Sequence, residues 1–78
     1  MGLDNFCWAI MKLLAGKKLV RQGWNNPGMW VEVQWPDDHS KMSHPYIFMN
    51  IPGCKEGHRR LPWQPSQVDM FTADWYIK

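Results

Sequence analysis

The sequence predicts an α+β fold: an N-terminal helix followed by a small antiparallel sheet, with a short helical turn near the C-terminus. Apolar residues recur at helical spacing near the N-terminus, and strict alternation of apolar and polar residues follows in the middle of the chain. Turn residues then separate several short β-branched and aromatic runs. The 78 residues contain no internal repeat or linker, so we expect a single domain over residues 1–78.

The first helix is predicted from the spacing of its apolar residues. Asp4 is a suitable N-cap, and Gly16 is the kind of residue that follows a helix end. Between them, three-and-four spacing predicts one buried face, made of Phe6, Ala9, Ile10, Leu13 and Leu14. Cys7 lies inside this pattern and is interpreted as a small core residue.

Three strands are predicted in the middle of the chain. Leu19–Arg21 is short, and Pro45–Ile51 is aromatic and β-branched. Met29–Trp35 alternates most clearly, and its apolar face is predicted to be Met29, Val31, Val33 and Trp35. A polar loop over residues 36–41 connects the last two strands.

A hairpin is predicted next. Pro52 and Gly53 begin its turn, and residues 59–61 return antiparallel to the preceding strand. Pro62 is expected to end the pairing, because proline has no N–H to donate.

The C-terminal segment is predicted to hold a helical turn and a last strand. Ser66 to Asp69 matches a capping box in which aspartate replaces glutamate, and it opens one or two turns through about Ala73. Asp74–Ile77 then forms the final strand.

Size and composition restrict the classes of function. A chain this short has a thin core and usually depends on disulfides, a metal or self-association. Cys7 and Cys54 make no disulfide framework and are predicted to be free thiols. The net charge of +2 is too weak for a duplex-DNA binder but tolerates a small anionic ligand. Since no apolar run approaches a secretion signal or membrane span, we expect a cytoplasmic protein.

The reactive side chains do not indicate an enzyme. Nucleophilic catalysis needs a cysteine or serine beside a histidine, and no recognisable nucleophile motif occurs. Zinc would need ligands gathered from two loops without a CxxC or HxxxH element. We therefore expect no catalytic residue, cofactor or metal among the candidates Cys7, Cys54, His39, His44 and His58.

Two polar, aromatic segments indicate ligand binding. Residues 24–29 and residues 62–69 each offer a tryptophan, amides and a stiff backbone, which suits stacking a base and recognising its polar edges. Trp24 could instead fill the core, and Asp69 could merely cap its own helix. Arg21 and the helix-end amides near Ser66 could hold a phosphate, although a surface ion pair explains Arg21 equally well.

Ordered sequence blocks across nearly the whole chain resemble the phage anti-Thoeris proteins of the second type. The most specific are Arg-x-Gly-Trp-Asn at residues 21–25 and Pro-Ser-Gln-x-Asp at residues 65–69. The supporting blocks are Gly16-Lys17-Lys18, Gly28-Met29-Trp30, Pro45-Tyr46-Ile47-Phe48-Met49, Pro62-Trp63, Asp69-Met70 and Asp74-Trp75. The segments Pro36–Ser43 and Cys54–Arg60 match no motif of that family, and their role stays open.

The resemblance implies a homo-oligomer, typically a tetramer, that traps a nucleotide-derived immune signal. The signal is of the cyclic ADP-ribose type (glycocyclic ADP-ribose), is made by host TIR enzymes and triggers Thoeris immunity. Related members resemble sponges for the cyclic dinucleotides of CBASS in a separate pocket. Matching the blocks residue by residue predicts a pocket lined by Arg21, Trp24, Asn25, Asn26, Gly28, Met29, Tyr46, Trp63, Ser66, Gln67 and Asp69.

Three other functions remain open on the sequence. A phage structural or host-protein-binding module would use the tryptophans as a protein interface. An enzyme would cleave the signal with Cys54 or a histidine. A single-stranded nucleic-acid binder would stack bases on strand aromatics, although our leading expectation includes no nucleic-acid partner.

Overall fold

The chain folds into an α+β domain, as predicted. The computed structural model describes residues 4–24, 28–54 and 57–78. Within them, the elements in chain order are α1 (Phe6–Leu14), β1 (Leu19–Arg21), β2 (Trp30–Gln34), β3 (Tyr46–Cys54), β4 (Gly57–Pro62), α2 (Gln67–Phe71) and β5 (Trp75–Ile77). The strands form one antiparallel sheet in the order β4-β3-β2-β1-β5.

Helix α1 begins one residue later than predicted. Its N-cap is Asn5, whose side-chain oxygen accepts from the Trp8 amide at 2.9 Å, so the prediction of Asp4 as the cap was wrong. Asp4 instead bridges to Trp75, through two backbone hydrogen bonds of 2.8 and 2.9 Å. The N-terminus of α1 is thereby tied to the edge strand β5.

The buried face of α1 is narrower than predicted. Ala9 and Leu13 are fully buried, whereas Leu14 is 52% exposed and Cys7 is an exposed free thiol. Because each helical residue turns about 100°, Cys7 and Leu14 both lie well away from the line through Ala9 and Leu13. The placement of Cys7 and Leu14 in the core was therefore wrong.

Gly16 ends α1 as predicted. Its φ of +87° is a left-handed conformation that suits glycine. The Gly16 amide donates to the Leu13 carbonyl, and the Lys17 amide donates to the Lys12 carbonyl, each at 3.0 Å. This pair of bonds is a Schellman motif, and it turns the chain directly into β1.

The strands differ from their predicted bounds in several places: β2 begins after Met29, β3 runs to Cys54, and β5 begins at Trp75, after Asp74. Trp35 follows the end of β2 and is exposed, so its assignment to the apolar face was wrong. Gly53 lies within β3 beside a register shift, so the predicted turn at Pro52 and Gly53 falls inside an irregular strand. Pro62 still pairs with Phe48 and is the last residue of β4, so the pairing ends at Pro62 itself and not before it. One further hydrogen bond, from the Trp63 amide to the Ile47 carbonyl at 3.1 Å, follows the strand end.

The core lies between the sheet and α1. Its fully buried side chains are Ala9, Leu13, Leu19, Val31 and Trp75. Both helices pack on this face, since α1 contacts α2 as well as β1, β2 and β5. Over the residues that the structure describes, the opposite face of the sheet carries no helix.

Candidate ligand-binding site

Arg21, at the end of β1, lies between two carboxylates from the C-terminal segment. Its Nε donates to Asp74 Oδ1 at 2.8 Å and its Nη2 to Asp74 Oδ2 at 3.2 Å, which makes a bidentate pair. Its Nη1 donates to Asp69 Oδ1 at 2.6 Å. The Arg21 side chain is only 10% exposed, so this is a largely buried ion pair and not a surface one.

Asp69 connects α2 to both the arginine and the tryptophans. Its Oδ2 accepts from the Ser66 amide at 2.8 Å, and its own amide donates to Ser66 Oγ at 3.1 Å, which completes the predicted capping box. Its Oδ1 also accepts from Trp24 Nε1 at 3.4 Å, and its backbone carbonyl accepts from Trp75 Nε1 at 3.0 Å. Asp69 is therefore buried with every side-chain oxygen in use.

The two carboxylates are held in their charged form. Hydrogen bonding to Arg21 lowers the pKa of Asp74. Burial alone raises the pKa of Asp69, but hydrogen bonds from Ser66, Arg21 and Trp24 outweigh it, so this pKa is also lowered. The hydrogen bonds to Asp74 also raise the pKa of Arg21. One guanidinium thus faces two carboxylates, which leaves a local excess of one negative charge.

Three tryptophans from distant parts of the chain pack edge to face beside this cluster. The ring centroids of Trp24 and Trp75 are 5.4 Å apart, those of Trp63 and Trp75 are 6.0 Å apart, and those of Trp24 and Trp63 are 6.1 Å apart. Trp75 is fully buried, whereas Trp24 and Trp63 are half-buried. The indoles of Trp24 and Trp63 are therefore partly exposed to solvent, and both pack against the buried indole of Trp75.

A groove opens beside Trp63. It has a volume of about 430 Å³, which falls within the usual range for small-molecule sites. Its lining residues are Met42, Tyr46, Ile47, Pro62, Trp63 and Gln64. A second concavity of about 280 Å³ lies on the uncovered sheet face, where its lining includes Gln34, Tyr46, Phe48 and Arg60. Tyr46 stands between the two.

A comparison with known protein families identifies the family of this chain. A family model described as the Tad2-like, Thoeris anti-defense 2-like domain matches residues 5–78. The chain belongs to this Thoeris anti-defense family. No curated protein matches the chain significantly.

The anti-defense domain brings most of the described candidate residues together. Arg21, Trp24 and Asp69 are in direct contact, and Ser66 caps the helix that holds Asp69. Trp63 contacts Trp24 and lines the groove with Tyr46. The Asn25 and Asn26 predictions lie outside the described residues.

The remaining candidate residues lie at the margins of this arrangement. Gln67 is exposed at the start of α2. Gly28 has a φ of +86° and approaches Pro52 so closely that an added Cβ would lie 3.0 Å from its ring, and Met29 follows it directly before β2. Gly28 and Met29 therefore lie next to β3.

Sequence reasoning missed Asp74, Thr72 and Trp75 as parts of this site. Asp74 was assigned to the last strand and to a supporting block of the resemblance but not to the pocket, yet it accepts hydrogen bonds from Arg21, Gly23 and Thr72. The signal that could have found it is the pairing of β1 with β5, which sets Arg21 opposite Trp75. That pairing joins residues more than fifty positions apart, so no local pattern indicates it.

The described residues hold no group suited to a metal ion. Among them, no three histidine, cysteine, aspartate or glutamate side chains gather as a metal site would require. The side chains of Cys54 and His58 lie outside the described part of the chain. None of the helices found there is long and apolar enough to cross a membrane.

Proposed function

We propose that this anti-defense protein binds and sequesters, without cleaving it, a cyclic ADP-ribose-type signal such as glycocyclic ADP-ribose, and thereby blocks Thoeris immunity in the cytoplasm of an infected host. The observation that carries the proposal is the family match over residues 5–78, within which the predicted aromatic and polar segments meet at one site. A sponge needs tight binding and no reacting group. The proposal therefore assigns no catalytic residue.

The aromatic residues are proposed to hold the base. Trp24 and Trp63 are fixed at their buried edges by Trp75 and remain partly open to solvent. A base that stacks on such a ring loses little side-chain entropy, because the ring is already held in place. Tyr46 would close the far side of the groove, where the Gln64 amide is available to recognise a polar edge.

The polar residues divide into two proposed roles. Gln67 and the side-chain amides of Asn25 and Asn26 are proposed to contact the ligand, together with Gly28 and Met29. Arg21, Ser66 and Asp69 already bond to one another or to the backbone, so we assign them to the wall that supports the pocket. The phosphate charge would then be met by other donors, including backbone amides.

We extend the proposal to the cyclic dinucleotides of CBASS and to a homotetramer. Both come from the family resemblance, and an oligomer also suits the thin core of a 78-residue chain. Several large apolar side chains are exposed, among them Met11, Val68 and Phe71. Such side chains are suited to burial between subunits.

The deciding experiment incubates the protein with the TIR-made cyclic ADP-ribose signal, filters it, and then releases the bound fraction by heat for mass analysis. We expect the signal to be retained and then released intact. A new product would mean an enzyme, and full recovery in the filtrate would exclude this ligand and direct the same assay to cyclic dinucleotides. A single-stranded oligonucleotide tested in parallel should pass through the filter.

A matched pair of variants locates the site in the same assay. Trp63→Phe shortens the indole that lines the groove, whereas Trp35→Phe changes an exposed tryptophan outside it. Removing a stacking ring altogether costs about 1–3 kcal/mol per base, and phenylalanine keeps a smaller ring, so Trp63→Phe should weaken binding by roughly three- to tenfold and Trp35→Phe should not. If the two variants changed the affinity equally, the groove beside Trp63 would not be the binding site.

The same exposed apolar side chains are equally suited to a second candidate, a module that binds a phage or host protein instead of further copies of itself. Phe71 is 82% exposed on α2, a level unusual for phenylalanine in an isolated domain. This candidate predicts no retention of any cyclic nucleotide. It also predicts that Phe71→Ser abolishes capture of one defined protein from infected cells.

A further inference from the structure

We propose that Asp74 is a positioning residue for the ligand site and that residue 23 is glycine in order to admit its carboxylate. The inference rests on the proposed function, because it concerns Trp24, which is proposed to hold the base and which packs against Trp63 at the groove. Asp74 and Gly23 were not among the residues that the sequence assigned to the pocket. Their contact joins the turn that precedes Trp24 to the segment between α2 and β5.

Asp74 binds the segment before Trp24 at four points. Its Oδ1 accepts from Arg21 Nε at 2.8 Å, and its Oδ2 accepts from the Gly23 amide at 2.9 Å and from Arg21 Nη2 at 3.2 Å. Its backbone carbonyl accepts from the Gln22 amide at 3.0 Å. Thr72 Oγ1 donates to Oδ1 at 2.9 Å and so fixes the carboxylate itself.

Gly23 leaves the space through which this carboxylate reaches the backbone. A Cβ at residue 23 would lie 2.9 Å from Asp74 Oδ2, closer than real Cβ contacts allow, and 3.0 Å from Arg21 Nη2, which is tighter than most such contacts. Gly23 is not among the described glycines with positive φ, so its backbone conformation does not require glycine. The close approach of the ion pair is the constraint.

These contacts reach the pocket through Trp24. Trp24 directly follows Gly23, and its amide donates to the Arg21 carbonyl at 3.2 Å, which closes a tight turn. The other end of the guanidinium holds Asp69, which in turn accepts from Trp24 Nε1. The main chain and the indole of Trp24 are therefore fixed from opposite sides by one arginine and its two carboxylates.

Asp74→Asn separates this role from simple loss of volume. The asparagine side chain has the same shape, but one of its two acceptors becomes an NH₂ donor. Whichever way it points, that donor meets either Arg21 Nε and the Thr72 hydroxyl, or the Gly23 amide and Arg21 Nη2. Asp38→Asn, at an exposed loop position, makes the same change of charge elsewhere and serves as the control.

The test measures affinity for the TIR-made cyclic ADP-ribose signal by calorimetry and stability by urea unfolding. Both are measured for the unaltered protein, Asp74→Asn, Gly23→Ala, the double variant and Asp38→Asn. We expect each single variant to weaken binding at least tenfold under conditions where it is fully folded. The double variant should lose little more than either single one, because both break the same contact. Asp38→Asn should bind as the unaltered protein does.

A spectroscopic readout separates positioning from stability. The indole N–H resonance of Trp24 should shift in Asp74→Asn and Gly23→Ala and stay in place in Asp38→Asn. If Asp74→Asn or Gly23→Ala does not fold, Thr72→Val takes its place. Thr72→Val removes only the hydroxyl that donates to the Asp74 carboxylate, and it should weaken binding two- to fivefold.

The outcomes distinguish the two proposals. No binding by the unaltered protein would overturn the proposed function and this inference together. Binding that Asp74→Asn and Gly23→Ala both retain, or additive losses in the double variant, would overturn the inference alone.

Discussion

Arg21 shows how a residue's surroundings decide between two uses of the same side chain. Its planar fork suits a phosphate and a pair of carboxylates equally well. The structure places two carboxylates around it, with the side chain 10% exposed and one negative charge in excess. A phosphate at the same guanidinium would have to displace an aspartate. We therefore assign Arg21 a structural role: its ion pairs with Asp69 and Asp74 hold β1 against the C-terminal segment.

Removing the guanidinium should destabilise the fold strongly. Arg21→Met would leave Asp69 and Asp74 close together, desolvated and without their common partner. Breaking a buried ion pair in this way costs about 3 kcal/mol or more in the free energy of unfolding, measured by urea at pH 7. Arg59→Met, at an exposed position of β4, is the control. A difference below about 1 kcal/mol between the two variants would contradict the role given to Arg21.

The same cluster should make stability depend on acid. The pKa values of Asp69 and Asp74 are lowered in the folded chain, so their contribution is fully present above the unfolded value of about 4. It is lost as the pH falls through the lower folded values. The free energy of unfolding should therefore be flat from pH 7 to about 5 and decline below pH 4. Arg21→Met should decline less steeply, and an identical profile would locate the acid sensitivity elsewhere.

At the scale of the elements, local signals predicted more than long-range ones. The capping box at Ser66 and Asp69 and the glycine stop at Gly16 were both confirmed, because each depends on residues three to five apart. The turn at Gly53 was misplaced because a bulge in β3 uses the same residue types as a turn. The contact of Arg21 with Asp74 depends on strand order, which one sequence does not show.

The capping box should contribute measurably to stability, because α2 has only five residues. Ser66→Ala removes the hydroxyl that accepts from the Asp69 amide and should cost about 1 kcal/mol in the free energy of unfolding. Gln67→Ala changes the exposed neighbouring residue and should be nearly neutral. If both variants unfold at the same urea concentration, the capping interaction contributes nothing to the fold.

At the scale of the whole molecule, the two faces of the sheet differ. The helical face holds the core and the tryptophan cluster. The opposite face is polar and aromatic: Glu32 Oε2 accepts from Trp30 Nε1 at 2.6 Å and from Asn50 Nδ2 at 3.0 Å, and Asn50 accepts from Arg60 Nε at 3.3 Å. These side chains are already ordered by one another, which makes the face a rigid surface.

The exposed apolar side chains would be buried between subunits in the proposed tetramer. Phe71, Val68 and Met11 are exposed on the two helices, and α1 contacts α2. Burying a phenylalanine contributes about 1.5–3 kcal/mol, which is large beside the stability of so small a domain. Light scattering after gel filtration should give a mass near four times the 9.3 kDa of one chain.

Phe71→Glu should dissociate this assembly without unfolding the subunit, because the Phe71 side chain is 82% exposed and contributes little to the hydrophobic core. A charge there would have to be desolvated in every copy of a symmetric interface, so the cost multiplies with the number of contacts. Lys41→Glu, at an exposed loop position, should leave the mass unchanged. A tetramer that survives Phe71→Glu would move the interface away from α2, and a monomeric unaltered protein would mean that one subunit must form the whole pocket.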